Sequence, residues 1–503
     1  HAKMFAKHGT TTIRNFDALN DVQNLEYSAE CIKKYGMNHE VVVTLMDLPP
    51  GCTGAHDVPF YEKTLRRILD SGLPYDSICF KDASGTSSPQ KIYETIQMAR
   101  KLVGNDTHIR LHTHETAGVS VACYLAALEA GADGIDLAAS PVSGGTSQPD
   151  ILTMMHAVKG KNFDLGGLEI DKILKYQEVL NDCLKDYFMP PEATQVSPLI
   201  PFSPMPGGAL TANTQMMRDN GTLHKFPEVI KAMREVVEKG GYGTSVTPVS
   251  QFYWQQAYAN VMFGPWKQIA PGYGKMVLGY FGKTPVEPDA QVVKLAAEKL
   301  KLEPTKENPL DIADRDEKKK ISVWKQRLEI EGIPATEENI FIAAACDEKG
   351  IAFLKGESPL NVRKNDSICE NDKDCKLGEN NMANANGNYT VIVDGQRFNV
   401  TIAEGNADIQ VTPVVTTTAA PVAQASAPVS SNGGTEVPAA VNGAVWKILV
   451  KEGDRVEKDQ QIMILEAMKM EIDITAPVSG VVTKILVNNA QTVDEGQTLA
   501  IIG

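Results

Sequence analysis

HIRLHTH, residues 108–114, reads as a strand, and it is the fourth of five strand-like stretches near the start of the sequence. The others are TTTIRNF (10–16), EVVVTLMD (40–47), SICFKD (77–82) and GIDLAAS (134–140). Their spacing of roughly 30 residues is that of one β-α unit. Amphipathic helical patterns fill the gaps: VQNLEYSAECIKKYG, PFYEKTLRRILDSG, SPQKIYETIQMARKLVG and SVACYLAALEAG, each ending near a glycine, a common helix stop. A repeating β-α pattern implies a parallel sheet, either doubly wound or closed as a TIM-type (β/α)8 barrel. Five units are legible over residues 1–164 where a closed barrel has eight. Read as a barrel, the sequence is expected to lack about three units, on the order of 90 residues, before His1.

Beyond this domain the pattern changes. Residues 165–360 read as mainly helical, with apolar periodicity in LEIDKILKYQEVLNDCLKDYF and DAQVVKLAAEKLKL. Residues 361–411 read as a polar loop (366–387) and a hairpin, NYTVIVDGQRFNVTI, with Asp394-Gly395 at its turn. Residues 412–435 carry no charge and are rich in Pro, Ala, Thr, Ser and Val, the composition of an extended linker. At about 3.1 Å per residue this linker would reach on the order of 60–70 Å. The last segment, 436–503, contains a repeat: NGAVWKILVKEGDRVEKDQQIMIL (442–465) overlays SGVVTKILVNNAQTVDEGQTLAII (479–502). Two similar β half-units related by a pseudo-two-fold predict a small flattened β-barrel.

Bulk composition narrows the function. The formal charge of −14 argues against a nucleic-acid partner, because phosphate binding needs clustered Lys and Arg. The apolar runs are shorter than the roughly 20 residues that span a bilayer. Eight cysteines in 503 residues, with no Cys-x-x-Cys pair, suit a reducing cytoplasm better than a disulfide scaffold.

Three motifs carry chemistry. In ILEAMKMEI (464–472), Lys469 lies between Met468 and Met470 at the junction of the repeated halves, where a tight hairpin is expected. Alone it would be a surface lysine; with the repeat and the linker it reads as an attachment point. In HIRLHTH, His112 and His114 are i and i+2 on a strand, so both imidazoles point to one side and can reach one ion. Alone the pair would be two ordinary histidines, but it stands at the C-terminal end of a barrel strand, where catalytic groups of that fold gather. Imidazole suits Zn, Mn or Co. Lys81 occupies the equivalent end one strand earlier; protonated it cannot ligate a metal, carbamylated it could, and otherwise it would form a salt bridge to Asp82 or a neighbour. In SGGTSQP (143–149), Gly144 and Gly145 permit close backbone approach and Thr146 offers a hydroxyl that can donate or accept a proton; alone this would be a turn.

The C-terminal segment resembles the biotinyl-carrier domains of biotin-dependent carboxylases, whose mark is Ala-Met-Lys-Met. FKDASGT, RLHTHETAG, SPVSGGTSQPD, RNFDALND and FSPMPGGALTANTQ are similar to the carboxyltransferase domain of pyruvate carboxylase, transcarboxylase and the oxaloacetate decarboxylase alpha subunit. The resemblance covers essentially the whole chain. It implies biotin amide-linked to Lys469, lipoylation being the minor alternative. It implies Lys81 as a carbamylated ligand, with His112 and His114, of a divalent metal (Zn, Mn, Co or Mg), and Thr146 as the proton shuttle. Glu115 stands where relatives often carry Asp. The family's metal-binding Asp and its substrate-binding Gln and Arg, from the first and third barrel strands, have no counterpart here, as expected of a chain truncated at its N-terminus. No ATP-binding carboxylase domain is present.

The reaction so implied is carboxyl transfer between carboxybiotin and pyruvate, giving oxaloacetate, or the reverse. The expected setting is the biotin-carrying carboxyltransferase subunit of a two-subunit pyruvate carboxylase, cytoplasmic and homo-oligomeric, charged by a separate biotin carboxylase subunit and biotinylated by a biotin protein ligase. The alternative is the alpha subunit of a sodium-pumping oxaloacetate decarboxylase, peripheral to the membrane and discharged by membrane subunits. A biotin carrier with an inactive barrel is a third reading.

Overall fold

In the computed structural model, five parallel strands form one sheet in chain order: β1 (Thr12–Asn15), β2 (Asn38–Thr44), β3 (Ser77–Asp82), β4 (His108–Thr113) and β5 (Gly134–Ile135). The structure describes residues 1–202, 204–205, 207–357, 364–365, 387–393, 396–402, 434–441, 443–467, 470–489, 491–494 and 496–503. A doubly wound sheet reverses its strand order at a switch point, whereas a barrel wall keeps it, so the unbroken order selects the TIM-type arrangement. Helices Gln23–Lys34, Val58–Ser71, Pro89–Val103 and Ser120–Glu129 fill the connections. Their boundaries follow local chemistry. Asp57 and Ser88 cap the second and third with Pro59 and Pro89 in the first turn, and Gly72 ends the second in the left-handed conformation at φ 69°.

The two faces of this sheet differ. Val41, Val43, Ile78, Phe80, Ile109 and Leu111 point toward the helices and share a buried core with Leu25, Tyr61, Leu65, Ile68, Ile92, Ile96 and Tyr124. Each fully buried aliphatic side chain contributes about 1.5–3 kcal/mol. The strand period of two then sends Arg14, Glu40, Lys81, Arg110 and His112 to the opposite face, the interior of a barrel.

The fifth strand is shorter than GIDLAAS suggests, two residues rather than seven. After Ile135 the backbone leaves β4 and pairs with its own returning loop: Ala138 N–H donates to the Pro149 carbonyl (3.0 Å) and Ile151 N–H to the Ala138 carbonyl (2.9 Å). His114 likewise lies one residue past β4, which is anchored by Thr113 N–H and C=O, each 3.1 Å from the Tyr124 hydroxyl.

The region read as helical is so, with helices Ile170–Leu184, Gly207–Asp219, Phe226–Lys239, Val249–Phe263, Ala290–Leu300, Ile321–Ile330 and Glu337–Leu354 among its elements. Trp254, Tyr253, Tyr273, Met233 and Val236 are fully buried within it. It is bonded to the C-terminal end of the sheet: Thr244 N–H donates to the Ala18 carbonyl (2.7 Å), and the Thr44 and Thr244 hydroxyls are 2.8 Å apart.

A second unit comprises residues 186–188 and 362–434. In it Tyr187 bridges Lys364, and Gly387–Val393 (β6) pairs antiparallel with Gln396–Ile402 (β7), Val393 opposite Gln396, as the hairpin reading expects. Asp394-Gly395, the polar loop up to Asn386 and linker residues 412–433 lie outside the described residues.

Residues 435–503 form two four-stranded antiparallel sheets. The strands are β8 (Thr435–Pro438), β9 (Gly443–Ile448), β10 (Arg455–Val456), β11 (Gln461–Ala467), β12 (Met470–Thr475), β13 (Gly480–Ile485), β14 (Thr492–Val493) and β15 (Thr498–Ile502). One sheet runs β10-β13-β15-β8, the other β14-β9-β11-β12. A shift of 37 residues (480 − 443) carries β8 onto β12, β9 onto β13, β10 onto β14 and β11 onto β15, so it exchanges the sheets strand for strand. The core repeats too: Val445 with Val482, Ile462 with Leu499, and Leu465 with Ile502 are matched pairs, each residue at most 1% exposed. Thr435, read as the last linker residue, is already in β8.

Candidate active site

Lys81 and His112 are paired neighbours in the register of β3 and β4. Lys81 and Asp82 point to opposite faces, and the Asp82 carboxylate is taken up by the following turn: it accepts from Ser84 N–H (3.1 Å), the Ser84 hydroxyl (2.6 Å), Gly85 N–H (2.8 Å) and Ser87 N–H (2.7 Å). The alternative reading of Lys81, an ion pair with Asp82, is therefore not what the structure contains. The Lys81 ammonium instead lies 5.7 Å from the Phe16 ring centre, and burial lowers its pKa from the ordinary lysine value. Gly85 is required here: at φ +65° a side chain is disfavoured, and a Cβ would come within 2.3 Å of the His114 carbonyl. The β3 turn thus closes directly on the histidine pair.

The two imidazoles meet as the strand period predicts, with His112 Nε2 3.0 Å from His114 Nε2. His112 Nδ1 is 2.8 Å from Asp136 Oδ2, and His114 Nδ1 is 2.8 Å from the Thr146 carbonyl. A carboxylate and a carbonyl can only accept; Arg14 Nη1 lies 3.4 Å from His112 Nδ1 but donates to Asp136 Oδ2 at 2.6 Å, so the shorter contacts favour a proton on both Nδ1 atoms and lone pairs on both Nε2 atoms. Gln148 Nε2 is 3.5 Å from His112 Nε2. Two lone pairs facing each other at this distance repel unless a cation lies between them. Burial keeps both rings neutral, lowering His112 and pulling His114 down to about 3. Neutral imidazoles with free Nε2 atoms and fixed Nδ1 partners are what a divalent metal takes. Among the described residues no three His, Cys, Asp or Glu side chains are grouped to hold an ion; a carbamylated Lys81 would add a ligand of another type to the two histidines.

Thr146 belongs to the loop that follows β5. Gly145, at φ +50°, allows this loop to lie against residues 193–194; a Cβ there would come within 2.4 Å of the Ala193 carbonyl. Gly144 has left-handed φ as well but faces nothing within 4 Å, so only the second glycine makes the expected close approach. Thr146 N–H and hydroxyl both donate to the Ala193 carbonyl (3.0 and 3.1 Å), and the hydroxyl is 2.9 Å from that of Thr211.

Sequence reasoning missed three of these participants. Thr211 sits in FSPMPGGALTANTQ and Arg14 in RNFDALND, stretches noted for their likeness to a family but not for a role. Asp136 is the lone acid in GIDLAAS. Burial raises its pKa, but hydrogen bonds from His112 and Arg14 outweigh that and hold it well below the usual carboxylate range. Met468 and Lys469 lie outside the described residues; the flanking Ala467 and Met470 are paired across β11 and β12. Elsewhere, a cleft of about 740 Å³ near Asp21, Arg67, Leu278 and Lys283 includes none of Lys81, His112, His114 and Thr146. Among the described residues no helix is long and apolar enough to cross a membrane.

Comparison with known proteins bears on this arrangement. Three family models match: HMGL-like over residues 13–179, the conserved carboxylase domain over 200–410, and the biotin-requiring enzyme domain over 435–502. A pyruvate carboxylase subunit of Methanocaldococcus jannaschii is 30% identical over 92% of this chain and 76% of its own length. The methylmalonyl-CoA carboxyltransferase 5S subunit of Propionibacterium freudenreichii subsp. shermanii is 29% identical over 72% of this chain and 70% of its own. The carboxyl transferase domain of Rhizobium etli pyruvate carboxylase superposes with a TM-score of 0.60 at 22% identity, covering 71% of this chain and 61% of that domain; at that identity it speaks for the fold. The fold order of barrel-type sheet, helical region and repeat-built biotin-type domain, together with these matches, makes the chain a member of the biotin-dependent carboxyltransferase family to which the Methanocaldococcus pyruvate carboxylase subunit belongs.

Proposed function

We propose that this enzyme transfers a carboxyl group between carboxybiotin and pyruvate, forming oxaloacetate, as the carboxyltransferase subunit of a two-subunit pyruvate carboxylase in the cytoplasm. The biotin is carried on Lys469, attached by a biotin protein ligase, and charged by a separate biotin carboxylase subunit. The observation that carries the reading is the histidine pair, Nε2 to Nε2 at 3.0 Å, beside the Thr146–Thr211 hydroxyl pair at the C-terminal end of a barrel-type sheet. His112, His114 and carbamylated Lys81 would hold a divalent ion, which when bound supplies a Lewis acid for the pyruvate keto oxygen as the methyl group loses its proton. Burial of Lys81 favours the neutral amine, the form that adds CO2 and releases a proton to become a carbamate. Thr146 moves the other proton: its hydroxyl gives one to the ureido nitrogen as the carboxyl group departs and regains one from the pyruvate methyl group. Thr211, at 2.9 Å, is the second hydroxyl through which that proton can pass.

The test is reconstitution. The biotinylated intact protein is mixed with a biotin carboxylase, ATP, bicarbonate and pyruvate, and oxaloacetate is followed by reduction to malate. Oxaloacetate that depends on both proteins and on Lys469 supports the reading. Turnover of a different 2-oxo acid with pyruvate inert would overturn the substrate. Co-purification with membrane subunits and sodium-dependent decarboxylation would replace the assignment with the decarboxylase alpha subunit.

A further inference from the structure

On the sheet face that carries the histidines lies a set of four charged side chains with alternating sign, one from each of four strands or strand ends. Arg14 in β1 donates through Nη1 to Asp136 Oδ2 (2.6 Å) and through Nε to Glu40 in β2. Arg110 in β4 donates through Nε to Glu40 Oε1 (3.1 Å) and through Nη1 to Asp136 Oδ1 (3.2 Å). Each carboxylate is thus held by both guanidinium groups. Glu40 is the most enclosed, its side chain 6% exposed. Asp136 makes the short contact from this ring to the chemistry, 2.8 Å to His112 Nδ1, and Arg14 Nη1 the longer one, 3.4 Å to the same atom.

We propose that Asp136 is a positioning residue for the metal site, and that the ring Arg14–Glu40–Arg110–Asp136 exists to hold its carboxylate against His112. This inference rests on the metal-dependent reading above. The physical argument is that an imidazole has two orientations and two neutral tautomers, and a metal accepts only one combination at a given place. The Asp136 carboxylate selects it by accepting from Nδ1. A carboxylate so placed would itself swing to a nearby cation, or recruit water, unless its remaining lone pairs were occupied. Arg14 and Arg110 occupy them, and Glu40 together with Asp136 balances the two arginines so that they do not repel the incoming ion. Arg14 Nη1 is also 3.4 Å from His112 Nδ1, close enough that without Asp136 it would face that ring nitrogen directly. His114, whose Nδ1 is held by a backbone carbonyl, needs no such device. The asymmetry makes the effect specific to one of the two histidines.

The test uses the intact protein, stripped of metal and titrated with Mn2+ or Zn2+ by calorimetry. Asp136→Asn keeps the shape and removes the charge; its metal affinity should fall by about 10–100-fold, the usual cost of losing such an outer partner. Asp136→Glu should recover part of that loss. Glu40→Gln touches neither histidine and should weaken binding by a smaller factor in the same direction. In selectively 15N-histidine-labelled metal-free protein, His112 should carry its proton on Nδ1, and Asp136→Asn should mix the tautomers while leaving His114 as it was. An affinity within twofold of the wild type in Asp136→Asn, or a wild-type His112 protonated on Nε2, overturns the proposal. Should Asp136→Asn fail to fold by circular dichroism, Glu40→Gln and the wild-type tautomer decide it. If the wild type binds metal but His112→Ala binds it equally well, the metal-site reading falls first, and this inference with it.

Discussion

The sheet formed by β1–β5 and the small domain of β8–β15 reach their functions by opposite routes. In the small domain the lysine proposed to carry biotin falls in sequence between β11 and β12, which are paired in space, and a 37-residue repeat (480 − 443) builds both sheets and the core. In the larger sheet, Lys81, His112, Asp136 and Thr146 come from separate strands and loops: the parallel register sets Lys81 beside His112, His112 reaches Asp136, and His114 reaches the Thr146 carbonyl. The proposed attachment site is thus specified locally and the proposed catalytic end globally. A local site tolerates change elsewhere; a global one responds to any strand that shifts. The comparison can be broken at either end.

The largest effect is expected at the carrier. Lys469→Arg should abolish biotin incorporation on a streptavidin blot while leaving metal binding at the histidines unchanged. A biotin signal that persists would place the attachment elsewhere. Next is the hydroxyl pair: Thr146→Val should lower carboxyl transfer by about 10²–10⁴-fold, the range of lost proton transfer, with biotin loading intact. Thr211→Val tests whether the 2.9 Å partner carries the proton or only orients Thr146; transfer within a few-fold of wild type would assign it the second role. Third, His112→Ala should weaken metal binding by more than about 100-fold, beyond the loss of an outer partner alone. Full metal occupancy by elemental analysis would contradict the site.

The smallest effect separates the two regions by pH. All nine histidines of the chain precede residue 436. His56 is wholly buried, Nε2 2.8 Å from the Tyr242 carbonyl and Nδ1 3.1 Å from the Tyr61 hydroxyl, and burial pulls its pKa to about 3. Unfolded, it titrates near 6.5. Between these values the unfolded chain binds the extra proton, so the stability from neutral His56 is complete above about pH 6.5 and erodes as pH falls toward 3. The slope is at most about 1.4 kcal/mol per pH unit for one group. Limited proteolysis at pH 4.5 and 7.5, read by mass spectrometry, should therefore open residues 1–360 at the lower pH before 436–503. His56→Gln should flatten the denaturation midpoint against pH. An unchanged slope would move the acid sensitivity to other groups.

Much of this is legible in the sequence. HIRLHTH placed two imidazoles on one side because alternate residues of an extended segment share a face, and His114, one residue past β4, keeps to that side. The roughly 30-residue spacing implied a parallel sheet, since only a crossover of that length returns a strand parallel. The repeat identified the second fold because equal halves must bury equal faces. Less legible were the limits of β5, since whether Ala138 pairs with β4 or with Pro149 depends on a loop closing back on itself. Nor could sequence connect Arg14 to Asp136, or Thr146 to Thr211, pairs 122 and 65 residues apart.

What the sequence determined by itself was therefore the set of parts: strands, helices, linker composition, the repeat, the His-x-His pair and the lysine between methionines. Each follows from short-range periodicity or residue chemistry, which the chain carries wherever it is placed. What only the tertiary structure decided was which parts meet. It directed both Nδ1 atoms to acceptors, which leaves two Nε2 lone pairs facing each other, and it sent Asp82 into its own turn rather than to Lys81. It also closed two arginines and two carboxylates into a ring beneath His112. The reason is physical: hydrogen bonds and charges act over a few ångströms, and register and loop closure alone bring distant residues within that range.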